Sequence, residues 1–519
     1  MATVLKALKT LKTLKALKAT ALAIFGLPKF FAGLGFLLAS PCFSPGGNPM
    51  QAFEREVCQR LPLADALFHL LDYATADGFL DGVFDRHRGR SYQDALGFPQ
   101  FVHLLADALL GTERSAHRHF LKAQDQDRLP VGIEAVYGKL RRVPLTLSQG
   151  LLFEATERLR QVFPAADDPL PASLDGLDVY AFDGKRLKFV AKRLKALRRV
   201  KGRVLGGKLL VVQHVATGLA VALAADADGE ADERPLVAGA VGQVRQGAAA
   251  NAPSRLWVGD RLFCDLHQLP LLAEGGDHFL VRYQAKAHFH PDPSQPARTG
   301  VDGRGVPYTE DWGWLGAAGH PRRQYVRRIT LHRQGEAIVV VTDLLDADTY
   351  PAADLLEVYL RRWGIEKLFQ RVTEVFDLRH LIGTTPQATV FQAAFCFVLS
   401  NVVQTVRNYL AEAQRRLPET ISTQRLFEDL TEELTAWHKF LTPAQTRAWL
   451  GNGVRTAAQV QAHLRRRLAG LWDQHWQKAP TKRRPPRPPR QYLKGGHSSV
   501  YRIQHGLHEC APDSTKEDG

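Results

Sequence analysis

Methionine occurs only twice in this chain of 519 residues, as Met1 and Met50, and cysteine only five times. Cys42, Cys58, Cys264, Cys396 and Cys510 lie far apart and form no Cys-x-x-Cys, so neither a disulfide framework nor a zinc ribbon is indicated, and a reducing cytosol is the expected setting. A glycine-rich loop ending in Lys-Ser or Lys-Thr is absent, which removes the usual ground for an ATP-driven mechanism. Two apolar runs near the start, 19–28 and 30–40, each reach about half of the roughly 20 residues that a membrane span needs. What is there instead, 45% hydrophobic and 23% charged residues, is the composition of a protein that folds in water; wholesale disorder and a polytopic membrane protein are excluded. The length sets an expectation of two to four domains.

Acidic residues are missing from three stretches in which basic ones are dense. Residues 1–50 hold six lysines, 184–208 eleven lysines or arginines, and 474–508 eight, together more than the formal net charge of +15. The remainder of the chain is therefore net acidic, and the positive charge is local. Basic runs of this kind read either as solvated faces or as contacts to a polyanion. The first of them, LKALKTLKTLKALK, stands ahead of the two apolar runs and has the ingredients of a signal peptide. Met50, however, follows the turn-forming stretch 44–49 and opens a helical pattern, so translation from at or near Met50 is expected, with 1–49 a leader without function.

From Met50 to about Ala172 apolar residues recur at helical spacing, as in FEREVCQRLPLADALFHLL and FPQFVHLLADALL, the latter preceded by Ser91–Asp94 as a capping box. Between Leu177 and Asp260 the texture changes to short β-rich runs, DVYAF, GKLLVVQHVA, GLAVALAA and RLWVGD, and strand-like runs continue through 261–350. Helix returns near Ala352 and continues to about Trp476. Beyond it TKRRPPRPPRQYLK is an extended basic tail, because proline removes donors and blocks the preceding turn.

Three carboxylates stand out. Asp183 ends the first strand in VYAFDGKRLK, where Asp-Gly between β-rich runs also reads as a hairpin turn. Asp260 ends the strand RLWVGD, at the position where open α/β sheets place chemistry and where loop-entry aspartates are also common. In DLLEVYLRRWGIEKLFQRV, Tyr359, Arg362 and Glu366 fall within about 60° on one helical stripe, with Leu368 and Val372 on the opposite side. An amphipathic helix with an intrahelical Arg–Glu pair explains the charges but not the accompanying phenol and Trp363.

FDGKRL, WVGDRLF, HFLVR, the segment from TDLLDADTYP to WGIEKLF, and LIGTTPQATVFQAAFCF together resemble the DDE insertion-sequence transposases, over about Leu177 to Val402. The subgroup is the one marked by Tyr, two residues, Arg, three residues, Glu, six residues, Lys; here Thr373 stands where its lysine is expected. The resemblance implies an α/β fold, with a ribonuclease H-like catalytic core at 173–383 carrying a β-rich insertion at about 261–350. A helical DNA-binding domain at 50–172, a helical C-terminal domain at 384–476 and a basic Pro-rich tail at 477–519 would flank it. It implies a catalytic, metal-binding triad of Asp183, Asp260 and Glu366 holding two Mg²⁺ ions, for which Mn²⁺ substitutes, since hard oxygen ligands suit both the ions and phosphoryl transfer. Tyr359 and Arg362 carry over as phosphate contacts; from charge alone, Lys185, Lys188, Arg261 and Arg282 join them as DNA-binding candidates. The implied partners are double-stranded DNA, both terminal inverted repeats and target, and a second copy of the chain in a synaptic homodimer, with no membrane, in a bacterial cytoplasm at the nucleoid. A catalytically decayed or domesticated DNA-binding protein on the same fold is the alternative, for which Thr373 is the hint.

Overall fold

The computed structural model describes residues 49–110, 115–165, 169–187, 203–247, 251–333, 337–374, 382–451, 456–479 and 497–507. The leader, Lys188 with most of the central basic run, and the Pro-rich stretch 480–496 lie outside the described residues. The chain divides into two units, 1–56 and 57–519. Of the first, only the start of helix α1 (Pro49–Arg60) is described; all the remaining elements belong to the second.

Six helices come next: α2 (Pro62–Thr75), α3 (Asp77–His87), α4 (Phe98–Leu110), α5 (Ala116–Asp125), α6 (Ile133–Arg142) and α7 (Leu145–Val162). Ser91–Asp94 does not cap α4, which begins four residues later. Instead the Gln93 side chain accepts the Phe98 amide at 2.5 Å, because Gly97 and Pro99 displace the helix start beyond a serine's reach.

The sheet is built from β1 (Leu177–Arg186), β3 (Lys208–His214), β4 (Ala220–Asp226), β5 (Ser254–Gly259), β6 (His278–Arg282), β7 (Phe289–Pro291), β8 (Arg298–Val301), β9 (Pro307–Leu315), β10 (Gln324–Leu331) and β11 (Ile338–Thr342). Its order is β4-β3-β1-β5-β6-β11-β10-β9-β7, with β8 on β9. β1 pairs antiparallel with β3 and parallel with β5, and β5 parallel with β6. Helix α8 (Leu236–Gln246) connects β4 to β5, and the short α9 (Gln268–Leu272) connects β5 to β6, as a parallel crossover requires. β6 thus belongs with the parallel strands, and β7 to β11 extend the same sheet past it rather than forming a separate β layer.

Each face has its own core, as strand alternation dictates. Tyr180 and Phe182 pack with Leu210, Trp257 and α8 on one side. Val179 and Ala181 pack on the other with Leu256, Val258 and α10 (Ala352–Arg361). After α10 come α11 (Trp363–Glu374), α12 (Pro386–Gln414), α13 (Thr423–Phe440), α14 (Pro443–Leu450) and α15 (Ala457–Leu468).

The long α12 is mostly apolar around its circumference because nearly all of it is buried. Phe391 meets Phe98 and Phe101 of α4, and Asn401 hydrogen-bonds Thr156 of α7 and Ala220 of β4. The helices read from sequence as two separate domains share this one core. Asp65 of α2 joins the two sets directly: it accepts Trp449 Nε1 (2.8 Å), His463 Nε2 (2.9 Å) and Arg467 Nε (2.6 Å). Burial pushes the Asp65 carboxyl up, but bonds from His463, His69 and Trp449 hold it well below the usual range. Part of the expected tail is ordered too. His497–Ser499 forms strand β12 parallel to β2 (Arg203–Leu205), and α16 (Val500–Gln504) follows, where the proline run has ended.

Candidate functional site

The register of the parallel pair sets the site. β1 and β5 are matched from Leu177 with Ser254 to Ala181 with Val258; carried on by two residues, the pairing sets Asp183 level with Asp260. By alternation both aspartates belong to the face of Val179, Ala181, Leu256 and Val258, the face that α10 covers. The hairpin reading of Asp183-Gly184 does not hold, since β1 runs through both residues to Arg186. Position 184 is glycine for another reason: a Cβ there would lie 1.9 Å from an oxygen of Glu233, whose carboxylate fills the space on the opposite face.

The helical stripe is split. α10 ends at Arg361 and α11 starts at Trp363, with Arg362 between them in an αR backbone and bonds of the three-residue type, Arg362 N to Tyr359 O (3.2 Å) and Ile365 N to Arg362 O (3.0 Å). Gly364 in the next turn favours such a break. The three polar residues stay together all the same. Tyr359 is buried with α10, and Leu368 and Val372 are buried as expected. Arg362 is 4% exposed, and its Nη2 lies 3.7 Å from Glu366 Oε1. Its Nε and Nη1 have no hydrogen-bond partner, although a buried guanidinium normally saturates its donors. Glu366 is 44% exposed and faces solvent.

The electrostatics tie these groups into one site. Burial pushes the Asp183 carboxyl up to about 6, and the negative charges of Asp260 and Glu233 add to that; the Gly184 amide and Arg362 oppose it. Burial likewise raises the Tyr359 phenol, with Asp260 adding and Arg362 and Arg282 opposing. Asp183, Asp260, Tyr359, Arg362 and Arg282 therefore lie within reach of one another's charge, with Glu366 held through Arg362. Glu233 is not legible from sequence. It sits in an acid-rich stretch, 226–233, that reads as a solvated loop, and only its approach to Gly184 marks it.

The remaining candidates divide. Lys185 lies on β1 with Nζ 5.2 Å from the Phe369 ring, and Arg261 is exposed directly after Asp260. Lys188 falls outside the described residues. Lys208, at the end of the basic run, is buried and pairs with Glu233 at 3.4 Å, so it is no part of a DNA-facing surface. The Thr373 hydroxyl donates to Phe369 O at 2.7 Å, closing on its own helix. Trp312 is core, its Nε1 bonded to Leu345 O, whereas Trp314 is 38% exposed.

The Asp183 carboxyl, desolvated and beside the negative charge of Asp260, is suited to a divalent cation, and three hard oxygen donors suit Mg²⁺. Among the described residues, the one trio of ligand atoms within 4.8 Å is a different one, Asp65, His69 and His463. That trio fits a metal poorly, because Arg467, Trp449 and His463 already occupy the Asp65 oxygens and the guanidinium brings positive charge to the place an ion would take.

A family model described as "Transposase DDE domain" matches residues 176–402, the span that holds all three carboxylates. Residues 176–402 thus match a DDE transposase domain, and the match supports a DDE transposase enzyme. No curated protein sequence matches it. A cryo-EM structure of a piggyBac transposase synaptic complex with hairpin DNA is similar at a TM-score of 0.34 and 11% identity, over 76% of this chain and 84% of that one, too distant to bear on function.

Proposed function

We propose that the protein binds the ends of its own insertion sequence, cleaves them, and joins the exposed 3′-hydroxyls to target DNA by metal-dependent phosphoryl transfer on a ribonuclease H-like core. One observation carries the reading: Asp183, within β1, stands level with Asp260 just past the end of the adjacent parallel strand β5, beneath a helix break that brings Tyr359, Arg362 and Glu366 over the same face. The strand order supports the fold assignment, with β1 central, β3 and β4 antiparallel on one side, β5 and β6 parallel on the other, and α8 between the two sets.

In this reading Asp183, Asp260 and Glu366 hold Mg²⁺, two ions with Mn²⁺ able to substitute. Bound there, divalent ions supply charge stabilisation for both the attacking and the leaving oxygen of a phosphodiester. The unpartnered donors of Arg362 suit a phosphate's planar pair of oxygens, and the Tyr359 phenol, kept protonated by burial, is a further donor. Arg282, Lys185 and Arg261 flank the site as backbone contacts, which position DNA without reading its sequence. The subgroup is the one with the Tyr-Arg-Glu-Lys signature, Thr373 replacing its lysine. The working assembly is two copies on two DNA ends, in the cytoplasm at the nucleoid.

The test is incubation of the protein with Mg²⁺ and linear DNA that carries the flanking element's ends, beside Glu366→Ala. Nicking at the element boundary, lost in the variant and without metal, is the expected result. End binding without cleavage over a wide range of metal and salt would point to the decayed DNA-binding protein.

A further inference from the structure

The face of α11 that carries Lys367 and Arg371 looks away from the carboxylates into a second cavity. It measures about 740 Å³ and is bounded by the turn between β3 and β4, by α11, by α12 and by the turn ahead of α13. Six basic side chains line it against three acidic ones. Two of the six are deep. Arg407 of α12 is 6% exposed; its Nη1 donates to Thr423 Oγ1 at 3.0 Å, and its Nε, also buried, has no partner. Arg371 donates to Gln404 through Nη1, and its buried Nε has none either. Among the described residues, neither guanidinium is ion-paired with a carboxylate.

Burial pushes Arg371 down to about 9, with Arg407's charge adding, and Arg407 down to about 10. The rim repeats the pattern. Burial, with the charges of Arg407, Lys367 and Arg371 adding and Glu419 opposing, lowers Lys478 to about 8. Of the three acidic side chains in the lining, Glu419 is the one that acts on Arg371, Arg407 and Lys478, and it is itself exposed. Arginine keeps its proton in proteins, and a buried, incompletely paired charge is costly. Nothing in the packing of α12 calls for charge here, since its other buried positions are mostly apolar.

The geometry points to a phosphate-binding pocket, in which Arg407 and Arg371 grip the phosphate oxygens and Lys367 and Lys478 close the rim. The volume exceeds what a lone phosphate fills and accommodates a phosphate with its sugar. The wall includes Trp363, which is 51% exposed and lies in the same turn as Glu366. The occupant is therefore a backbone phosphate of the DNA strand held at the carboxylates. That identity rests on the transposition reading; the phosphate chemistry does not.

Two arms separate the sources, both on the full chain, with Arg407→Met, Arg371→Met and the surface variant Lys367→Ala beside the parent. In the first, melting is followed in sodium phosphate and in sodium chloride at equal ionic strength. Phosphate is expected to raise the parent's Tm and to leave the arginine variants unmoved. In the second, duplex affinity is measured against salt. Each phosphate that is no longer neutralised is expected to lower the slope by about 1, in Lys367→Ala as well as in either arginine variant that folds. Phosphate stabilisation with unchanged slopes would support the pocket and assign it to free phosphate. No stabilisation in the parent together with an unchanged slope in Lys367→Ala would overturn it. A parent that binds no DNA would sink the transposition reading and leave the first arm to decide the pocket.

Discussion

Asp65, fully buried, and Asp183, half-buried, lie in one compact unit, and their surroundings treat them in opposite ways. Around Asp65 an indole, an imidazole and a guanidinium occupy the oxygens, and the carboxyl stays ionised far below its ordinary range. Around Asp183 the neighbours are a backbone amide, two further carboxylates, and an arginine whose remaining donors are unused. The first arrangement is complete and holds helices together. The second is short of positive charge, and that shortage is what a cation or a phosphate-bearing ligand can relieve.

The comparison breaks most visibly through activity. Glu366→Gln or Asp260→Asn is expected to lower boundary cleavage on the order of 10³-fold or more, several kcal/mol of lost charge stabilisation, with the melting curve little changed. If cleavage survives either change, the carboxylate site is not the catalytic one. Asp65→Ala acts on stability instead. It strands Arg467 without its buried counter-ion and is expected to cost about 3–5 kcal/mol in denaturant unfolding.

Asp183→Asn is expected to go the other way, stabilising the fold by about 1–3 kcal/mol at pH 7 while abolishing cleavage. The sign follows from linkage. A folded-state carboxyl raised to about 6 from its ordinary 3.8 binds more protons than the unfolded chain between those values, so its contribution falls as pH rises from about 4 to 6. Asp65 is the reverse: its stabilisation is present above 3.8 and is lost as pH falls below it. Melting temperature against pH, measured for the parent and both variants, separates the two slopes. The smallest effect is expected from Thr373→Lys, which adds one cation beside the site and should steepen the salt dependence of DNA binding by about 1. No change in slope would mean that this helical position does not face the duplex.

Much of the site is readable because its signals are local. Asp183 and Asp260 end β-rich runs, and Tyr359, Arg362 and Glu366 keep a helical spacing that survives the break at Arg362. Charge alone points to Arg282 and Arg261, and Arg282 does act on the Tyr359 phenol. Charge alone misplaces Lys208, which a tertiary partner, Glu233, draws inside. Glu233 itself has no local signature. Asp-Gly at 183–184 carries the pattern of a turn, and only packing shows that the glycine makes room for a carboxylate. The shared helical core is hidden for the same reason: α2 to α7 and α12 to α15 are far apart in sequence, and periodicity reports that a face is buried, not what buries it.

That shared core has a consequence for how the chain is made. The helices of 62–162 cover their apolar faces with α12, whose first residue is Pro386, more than two hundred positions later. At ribosomal rates of roughly 5–20 residues per second, those faces wait about 10–45 s for their partner. The helices of 62–162 thus emerge as an unfinished surface, and their folding is timed by the synthesis of helices that come late in the chain.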